Sequence, residues 1–123
     1  MKYLVLIYSN PASRALWEGF SDAKRSEGLG VYAALNEDLA ASGELVVAEA
    51  LADAALTKRV TVSGGQVLTT DGPFAEAKEL LAGFYLLECD SLERAVAIAG
   101  RIPEAGMGLV EVRPVLDLAG LEM

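Results

Sequence analysis

Apolar residues fall at strand-like positions in several short stretches of the chain, and the first of these stretches is unusual. Residues 2–9 are rich in β-branched, aromatic and leucine side chains, and the turn signal Asn10-Pro11 ends the stretch. Both alternating sets of side chains are apolar: Tyr3, Val5 and Ile7 on one side, and Leu4, Leu6 and Tyr8 on the other. A strand that is apolar on both sides is normally covered on both faces. We therefore expect two covering layers around this strand.

Two stretches have the periodicity of amphipathic helices. The first is predicted to begin at Ser21 or Asp22 and to end near Ser42, because Gly43 allows a left-handed stop. Its predicted buried stripe comprises Tyr32, Leu35 and Leu39, with Val31 alongside. The second is predicted to be capped by Asp90 and ended by Pro103. Its predicted buried face comprises Leu92, Ala95, Val96, Ala99 and Ile102.

Gly28 and Gly30 lie inside the first predicted helix, where each glycine costs about 1 kcal/mol relative to alanine. The preferred interpretation is that the helix tolerates them or begins late. The alternative is a close approach of the backbone to a ligand or partner.

The remaining strands complete a recognisable order of elements. Strands are predicted over 44–50, 58–62, 66–70, 83–89 and 109–118, and Ser63-Gly64-Gly65 is typical of a hairpin turn. Right-handed crossovers through both helices place the helices on one face of a mostly antiparallel sheet. The predicted fold class is therefore α+β, a ferredoxin-like split βαβ arrangement with an inserted β-hairpin.

A two-layer fold of this kind leaves one sheet face without helices, although the first strand is apolar there too. The preferred cover is the same face of a second copy, in a twofold homodimer. A bound ligand or the C-terminal residues 119–123 are the alternatives.

Composition narrows the classes of function. The 123 residues suit a single domain spanning 1–123, and the net charge of −8 opposes binding to nucleic acid or to an anionic membrane. The single cysteine, Cys89, fits a reducing compartment, and the apolar start is too short for a normal signal peptide. We therefore expect a cytoplasmic protein.

The absence of histidine from the sequence excludes several chemistries. Ordinary zinc or copper ligation, haem bound through histidine and a Ser-His-Asp nucleophile all need residues that this chain lacks. Neither glycine pair, at 28 and 30 or at 106 and 108, has the strand–loop–helix context of a dinucleotide site. No metal or other cofactor is predicted, although a carboxylate-bound magnesium ion is not excluded.

The most distinctive segment is Asp71-Gly72-Pro73-Phe74, which we call the DGPF turn. Its local chemistry predicts a rigid turn in which Asp71 bonds the backbone and Phe74 is anchored in the core.

Together with Ala75-Glu76-Ala77-Lys78-Glu79, the DGPF turn resembles the signature of the YCII-related, or DGPF, domain family. The start of the chain, 83–88 and 111–115 match this family as well, in the right order and over nearly the whole chain. The resemblance implies a ferredoxin-like fold that pairs through its sheets as a dimeric α+β barrel. The biochemical role of the family is not established.

Some relatives carry a histidine and an aspartate, proposed as an active-site dyad in a pocket between sheet and helices, and Asp71 matches that aspartate. The dyad does not carry over, because this chain has no histidine. Asp71 is the candidate catalytic residue only as a lone acid or base, which requires burial to raise its pKa towards neutrality.

Four other residues are candidates for binding a small molecule: Arg113, Lys78, Tyr8 and Phe74. Arg113 is expected to pair with Glu111, Asp117 or Asp71, or else to bind a ligand carboxylate. Lys78 has Glu76, Glu79 and Asp71 as possible partners, or serves as the cation of the pocket.

Two functions remain open from sequence. One is a protein that binds a small molecule near the DGPF turn, either without catalysis or as a cofactor-free enzyme of the kind found among fold relatives. The other is a non-catalytic regulatory or protein-interaction module, because members of the family occur beside alternative sigma factors or fused to them.

Overall fold

The computed structural model describes residues 1–74 and 78–120 of the chain. Its strands are β1 (Lys2–Ser9), β2 (Leu45–Ala50), β3 (Lys58–Ser63), β4 (Gln66–Asp71), β5 (Leu80–Glu88) and β6 (Val110–Pro114). Its helices are α1 (Pro11–Glu18), α2 (Asp22–Ser42) and α3 (Leu92–Ala99), and short 3-10 turns span Ala54–Leu56, Pro103–Met107 and Leu118–Gly120.

The main sheet has the strand order β2-β5-β1-β6, and all of its neighbouring strands are antiparallel. Strands β3 and β4 form a separate two-stranded hairpin, which is inserted in the chain after β2 and before β5. Strand, helix, strand, hairpin, strand, helix, strand is the order expected from the sequence. The α+β, ferredoxin-like fold with an inserted hairpin is therefore confirmed.

The core lies between the sheet and the helices α2 and α3. Alternate residues of β1 and β5 point into it, and Val5 and Leu87 are fully buried. The rest of this core comprises Tyr3, Ile7, Leu35, Leu39, Tyr85, Cys89, Ala95, Ile98, Ala99 and Ile102. Burying each large apolar side chain contributes roughly 1.5–3 kcal/mol, so this single layer supplies most of the driving force for folding.

The long helix begins and ends where its capping residues predict. Ser21 accepts a hydrogen bond from the backbone of Lys24, and Gly43 adopts the left-handed conformation with φ +78°. Leu35 and Leu39 are buried and Tyr32 packs against the core, as expected. Val31 is 44% exposed, so its predicted place beside the buried stripe is wrong.

The third helix differs from its prediction in cap and in phase. Ser91 rather than Asp90 caps it, with the Ser91 hydroxyl accepting from the backbone of Arg94. Leu92 and Val96 are 43% and 53% exposed, because the helix turns Ala95, Ile98 and Ala99 towards the sheet instead. Leu92 and Val96 therefore remain partly in solvent, next to Val110 and Val112 of the edge strand β6.

Helix α1 was not predicted, although its start follows a local signal. Asn10 accepts a hydrogen bond from the Ser13 backbone and Ser13 accepts one from the Asn10 backbone, with Pro11 at the first position. None of its residues is buried. Arg25 of α2 fastens it instead, donating to the carbonyl oxygens of Trp17 and Glu18 and lying over the Trp17 ring.

The glycines of α2 have two different environments. A Cβ atom on Gly28 would lie 3.9 Å from the Trp17 ring, which is ordinary contact, whereas one on Gly30 would meet nothing within 4 Å. The close approach at Gly28 therefore involves a side chain of the same chain. In the described part of the chain, no helix combines the length and apolarity needed to cross a membrane.

We predict that Gly83→Ala destabilises the fold strongly. A Cβ atom on Gly83 would lie 2.8 Å from the carbonyl oxygen of Glu49 on the neighbouring strand, so the β2–β5 backbone must separate. The control is Gly30→Ala, which is expected to stabilise by up to about 1 kcal/mol through helix propensity. Urea unfolding measures both, and an unchanged midpoint for Gly83→Ala would contradict the packing described for β5.

Candidate functional site

The sheet face that does not carry α2 and α3 has an apolar centre with charged margins. Strand pairing places Leu4 between Leu86 and Arg113, and Leu6 between Phe84 and Glu111. On the other side of β5, Val47 lies opposite Leu86 and Glu49 opposite Phe84. The side chains of this open face include Lys2, Leu4, Leu6, Tyr8, Val47, Glu49, Phe84, Leu86, Glu88, Glu111 and Arg113.

Tyr8, Glu111 and Arg113 come together at one margin of this open face. Glu111 lies diagonal to Tyr8 across β1 and β6, and its hydrogen-bonding influence, with desolvation and the negative charges of Glu111 and Glu79, raises the pKa of Tyr8. The positive charge of Arg113 acts in the opposite direction, so the three groups lie within electrostatic range of one another. We call these three residues the Tyr8 cluster.

Local strand geometry positions the Tyr8 cluster. The β1–β5 register shifts between Ile7 and Tyr8, so Tyr8 lies opposite Leu81. The Tyr8 N–H donates to the Leu109 carbonyl oxygen at 2.8 Å, just before β6 begins. The edge strand β6 then brings Glu111 opposite Leu6, diagonal to Tyr8, where a tyrosine can reach it.

The cluster combines three complementary polar groups. A protonated tyrosine can donate or accept a hydrogen bond, a carboxylate accepts, and a guanidinium donates in a geometry suited to carboxylates. Glu111 and Arg113 are both exposed in the single chain, so the cluster is open to solvent. Arg113 forms no ion pair with Glu111 or Asp71 in the described residues, and Asp117 accepts a bond from the Ala119 N–H.

Asp71 lies away from this face, at the base of the hairpin. It ends β4 opposite Lys58 and forms an ion pair with it, and the two side chains are 80% and 62% exposed. Gly72 follows with φ +84°, and its N–H donates to the Thr57 carbonyl oxygen at 2.8 Å. The proposed pocket is therefore not formed around Asp71 by one chain, and the catalytic role of Asp71 stays a prediction.

The structure corrects the expectation that Phe74 anchors the DGPF turn in the core. Phe74 is 68% exposed, and its ring centre lies 4.5 Å from the Arg59 guanidinium on β3. A stacked cation and ring can be worth about 0.5–1 kcal/mol at an exposed site. The turn is thus fastened to the hairpin rather than to the core.

Lys78 is exposed just before β5, and its neighbour Glu79 is close enough to influence Tyr8. This end of β5 therefore connects the DGPF turn to the Tyr8 cluster. Glu76, one partner expected for Lys78, lies outside the described residues. Ligand binding by Lys78 and Phe74 stays a prediction.

A second polar cluster, missed from sequence, lies on the helix side of the sheet. The Tyr85 hydroxyl donates to Asn36 and the Tyr32 hydroxyl to Glu104. Burial is the largest cause of the raised pKa of both tyrosines. The hydrogen bond to Glu104 raises the pKa of Tyr32 further. Each hydroxyl has a partner within the chain, so these bonds stabilise the position of α2 over the sheet.

The exposed carboxylates do not converge into an obvious metal centre. Across 1–74 and 78–120, no group of three or more histidine, cysteine, aspartate or glutamate residues is arranged to hold a metal ion.

Comparison with known proteins identifies the family. A family model for the YCII-related domain matches residues 1–119. The chain belongs to the YCII-related domain family. This confirms the resemblance seen in the DGPF turn and the strands around it.

Two proteins similar to this YCII-related domain differ in what is known of them: one is uncharacterized and the other is a solved enzyme. An uncharacterized protein of Rhizobium meliloti (strain 1021) is 33% identical over 116 residues, covering 93% of this chain and 91% of that protein. The 5-chloro-2-hydroxyhydroquinone dehydrochlorinase of Burkholderia phenoliruptrix AC1100, solved in complex with 2,5-dihydroxybenzoquinone, is similar in structure with a TM-score of 0.51. It is 15% identical, with 94% of each chain covered, so this likeness supports the fold.

We predict that Glu111→Gln lowers the pKa of Tyr8. The hydrogen-bonding influence and the charge of Glu111 both favour the protonated phenol, and removing the charge moves the pKa towards the ordinary value of about 10. The difference in near-ultraviolet absorbance between each protein and its Tyr8→Phe counterpart isolates this one tyrosine during an alkaline titration. Equal titration midpoints for Tyr8 in the wild type and in Glu111→Gln would contradict the proximity of Tyr8 and Glu111.

The raised pKa also sets the direction of a stability change with pH. The folded state holds the Tyr8 proton more tightly than the unfolded chain does. The resulting stabilisation of the folded state is fully present below the unfolded pKa of about 10. It is lost as pH rises through the folded pKa.

Proposed function

We propose that this YCII-related domain binds a small hydroxylated or anionic organic molecule on the open face of its sheet, at the Tyr8 cluster. The observation that carries the proposal is the placement of Tyr8, Glu111 and Arg113 on one sheet face, with Glu111 opposite Leu6 and Arg113 opposite Leu4 at the margin of an apolar surface. Small-molecule sites are usually lined by apolar side chains together with a small number of well-placed polar groups.

The groups have distinct roles in this proposal. Arg113 binds a ligand oxyanion, while Glu111 accepts a hydrogen bond from a ligand hydroxyl. Tyr8 stays protonated at neutral pH and so keeps its own hydroxyl available as a donor or acceptor. Leu6 and Phe84, which are paired across β1 and β5, provide the apolar wall for a planar ring.

A second copy of the chain is proposed to close the site. The open face has five apolar side chains over β1, β5 and β2 that one copy leaves partly exposed. Burying such a surface against the same surface of a twin subunit gives a twofold homodimer and removes the Tyr8 cluster from bulk water. Removal from water strengthens each charge-assisted bond to a ligand. We place this dimer in the cytoplasm, since Cys89 is a free thiol.

The choice of ligand class is supported by the structural relative. That enzyme is named for a chlorinated hydroxyhydroquinone and was solved with 2,5-dihydroxybenzoquinone, a planar molecule with hydroxyl and carbonyl oxygens. A molecule of this type presents both oxyanion and hydroxyl groups to an arginine and a carboxylate. It is therefore the probe for the first test.

We expect 2,5-dihydroxybenzoquinone to bind the wild type, and Arg113→Met to weaken binding by at least about tenfold. A hydrogen bond to a charged group is worth about 1.5–3 kcal/mol, and tenfold in affinity is 1.4 kcal/mol. Isothermal titration calorimetry measures both. The control is Arg101→Met, because Arg101 pairs with Asp38 on the helix side of the molecule. Equal affinity in the Arg113 and Arg101 variants would refute the site.

Catalysis is the finer part of the proposal, with Asp71 as its acid or base. Asp71 lies away from the open face of its own chain and pairs with Lys58 in an exposed position, so turnover requires an assembly that brings Asp71 to the bound ligand. We expect Asp71→Asn to abolish chloride release from 5-chloro-2-hydroxyhydroquinone at an unchanged melting temperature. Lys58→Met is the control for loss of the ion pair alone. A variant that binds and turns over like wild type would remove Asp71 from the chemistry.

The alternative function, a regulatory or protein-interaction module, is favoured by one other observation. Large apolar side chains are exposed on α1 and the hairpin, including Leu16, Val60, Val62 and Val67. Exposed apolar patches commonly mark protein contacts. Failure of the small-molecule tests, with a partner bound at this surface, would favour that function.

A further inference from the structure

Arg59 is the one side chain of the hairpin strands that the fold partly covers. The other residues of β3 and β4 are exposed, whereas Arg59 is half-buried. Its guanidinium lies over the Phe74 ring, 4.5 Å from the ring centre. Its Nε atom is buried and has no hydrogen-bond partner among the described residues. Arg59 thus contacts an aromatic ring where a polar partner would be expected, since a buried N–H without a partner is unfavourable.

The two neighbouring cations of β3 contact different parts of the DGPF turn. Lys58 forms the ion pair with Asp71, at the start of the turn. Arg59 stacks on Phe74, at the end of the turn. Successive residues of a strand point to opposite faces, so these two contacts lie on opposite faces of the hairpin. The base of the hairpin therefore holds the DGPF turn from both sides.

The Arg59–Phe74 stack is the last described contact before the chain leaves the turn. Asp71 ends β4, and the Gly72 N–H then donates to the Thr57 carbonyl oxygen at 2.8 Å. The stack follows two residues later. It therefore sets the position from which the chain continues towards β5.

The chain returns to the sheet beside Tyr8. Leu80, the first residue of β5, lies opposite Ser9, and its carbonyl oxygen accepts a hydrogen bond from the Ser9 hydroxyl at 3.5 Å. Leu81 lies opposite Tyr8 itself. Glu79 directly precedes Leu80, so it lies at the end of β5 that is nearest to Tyr8, and its negative charge acts on Tyr8. The position of Glu79 thus depends on how the chain arrives from the DGPF turn.

We propose that Arg59 is a positioning residue for the Tyr8 cluster: its stack on Phe74 holds the DGPF turn against the hairpin and so keeps Glu79 beside Tyr8. From Phe74 to Glu79 the chain advances five residues, which span at most about 18 Å when fully extended. A fixed Phe74 therefore limits where Glu79 can lie. Arg59 acts through Phe74 and does not touch the ligand.

The consequence for binding rests on the proposed function. A carboxylate accepts hydrogen bonds and does not donate them, so Glu79 gives the site a second acceptor in addition to Glu111. A ligand with two hydroxyl groups, such as 2,5-dihydroxybenzoquinone, can use both acceptors. Arg59 would thus favour dihydroxylated ligands from the far end of the turn.

Alkaline titration of Tyr8 tests the positioning without any ligand. Arg59→Met and Phe74→Leu are each expected to lower the Tyr8 midpoint, measured against the matching Tyr8→Phe proteins, because a released turn lets Glu79 move away. Loss of a positive charge alone raises the pKa of a tyrosine, so a fall with Arg59→Met does not come from the charge change. Glu79→Gln gives the full effect, and adding Arg59→Met to it should lower the midpoint no further.

Calorimetry with 2,5-dihydroxybenzoquinone measures the effect on binding. Arg59→Met and Phe74→Leu are expected to weaken binding equally, by about two- to fivefold, which corresponds to the loss of one exposed cation–ring contact. The double variant should lose no more than either single variant. Arg59→Lys keeps a cation near the ring and should retain most of the affinity. The control is Lys24→Met, which removes the same charge and a cation–ring contact with Phe20 instead.

The outcomes separate this inference from the proposed function. Unchanged Tyr8 midpoints in Arg59→Met and Phe74→Leu overturn the positioning role. Weaker binding in Phe74→Leu alone also overturns it, because Phe74 would then contact the ligand directly. Equal losses in Lys24→Met and Arg59→Met assign the effect to net charge and overturn it as well. A wild type that does not bind 2,5-dihydroxybenzoquinone overturns the proposed function, while the Tyr8 titration still decides the role of Arg59.

The test does not depend on the stability of one variant. Phe74 is 68% exposed, so Phe74→Leu is expected to fold like the wild type. Should Arg59→Met not fold, the Tyr8 midpoint in Phe74→Leu decides: a fall supports the positioning role, and an unchanged midpoint overturns it.

Discussion

The structure depends on a strand that is apolar on both sides at the centre of a sheet whose helices cover only one face. β1 lies between β5 and β6, and its residues Tyr3, Val5 and Ile7 are buried against the helices. Leu4 and Leu6 face the other way and continue into Phe84 and Leu86 of β5. An antiparallel sheet with one solvated face normally alternates apolar and polar positions along each strand. This sheet does not alternate at its centre, so the hydrophobic effect favours a second covering layer as well as the first.

The polar groups of the open face lie at its margins, either on the edge strands or at the ends of the central strands. Glu111 and Arg113 come from β6 and Glu49 from β2. The central strands contribute Lys2 and Glu88 at one end and Tyr8 towards the other. A covering layer can therefore bury the apolar centre first and leave the margins as a polar rim. Polar groups at such a rim keep access to small molecules while their surroundings become less aqueous. This division makes the Tyr8 cluster a more favourable place for ligand chemistry than the exposed ion pair of Asp71 and Lys58.

Sequence reasoning succeeded where local chemistry decides the structure. The cap residues Ser21 and Gly43 mark the start and the end of α2, and the Gly64-Gly65 turn defines the hairpin. It failed where packing decides: the phase of α3, and the position of Phe74, depend on which neighbours the fold brings near. The capping box of Asn10 and Ser13 is also a local signal, but Asn10-Pro11 equally predicts the end of a strand. The contact between Tyr8 and Glu111 depends on the β1–β6 register, which the pattern of the two strands does not specify. The sequence therefore predicts Tyr8 and Arg113 as separate candidates, with Glu111 as a possible partner of Arg113 but not of Tyr8.

The tyrosines of this chain illustrate what separates a structural contact from a candidate site. Tyr32 and Tyr85 bind Glu104 and Asn36 beneath a helix, in an arrangement that one chain completes by itself. Tyr8 lies beside Glu111, which raises its pKa, on a face that one chain leaves open. The hairpin valines Val60, Val62 and Val67 are likewise left exposed by one chain. The proposed ligand chemistry at the Tyr8 cluster therefore depends on the proposed dimer, because only a covering layer removes that cluster from bulk water.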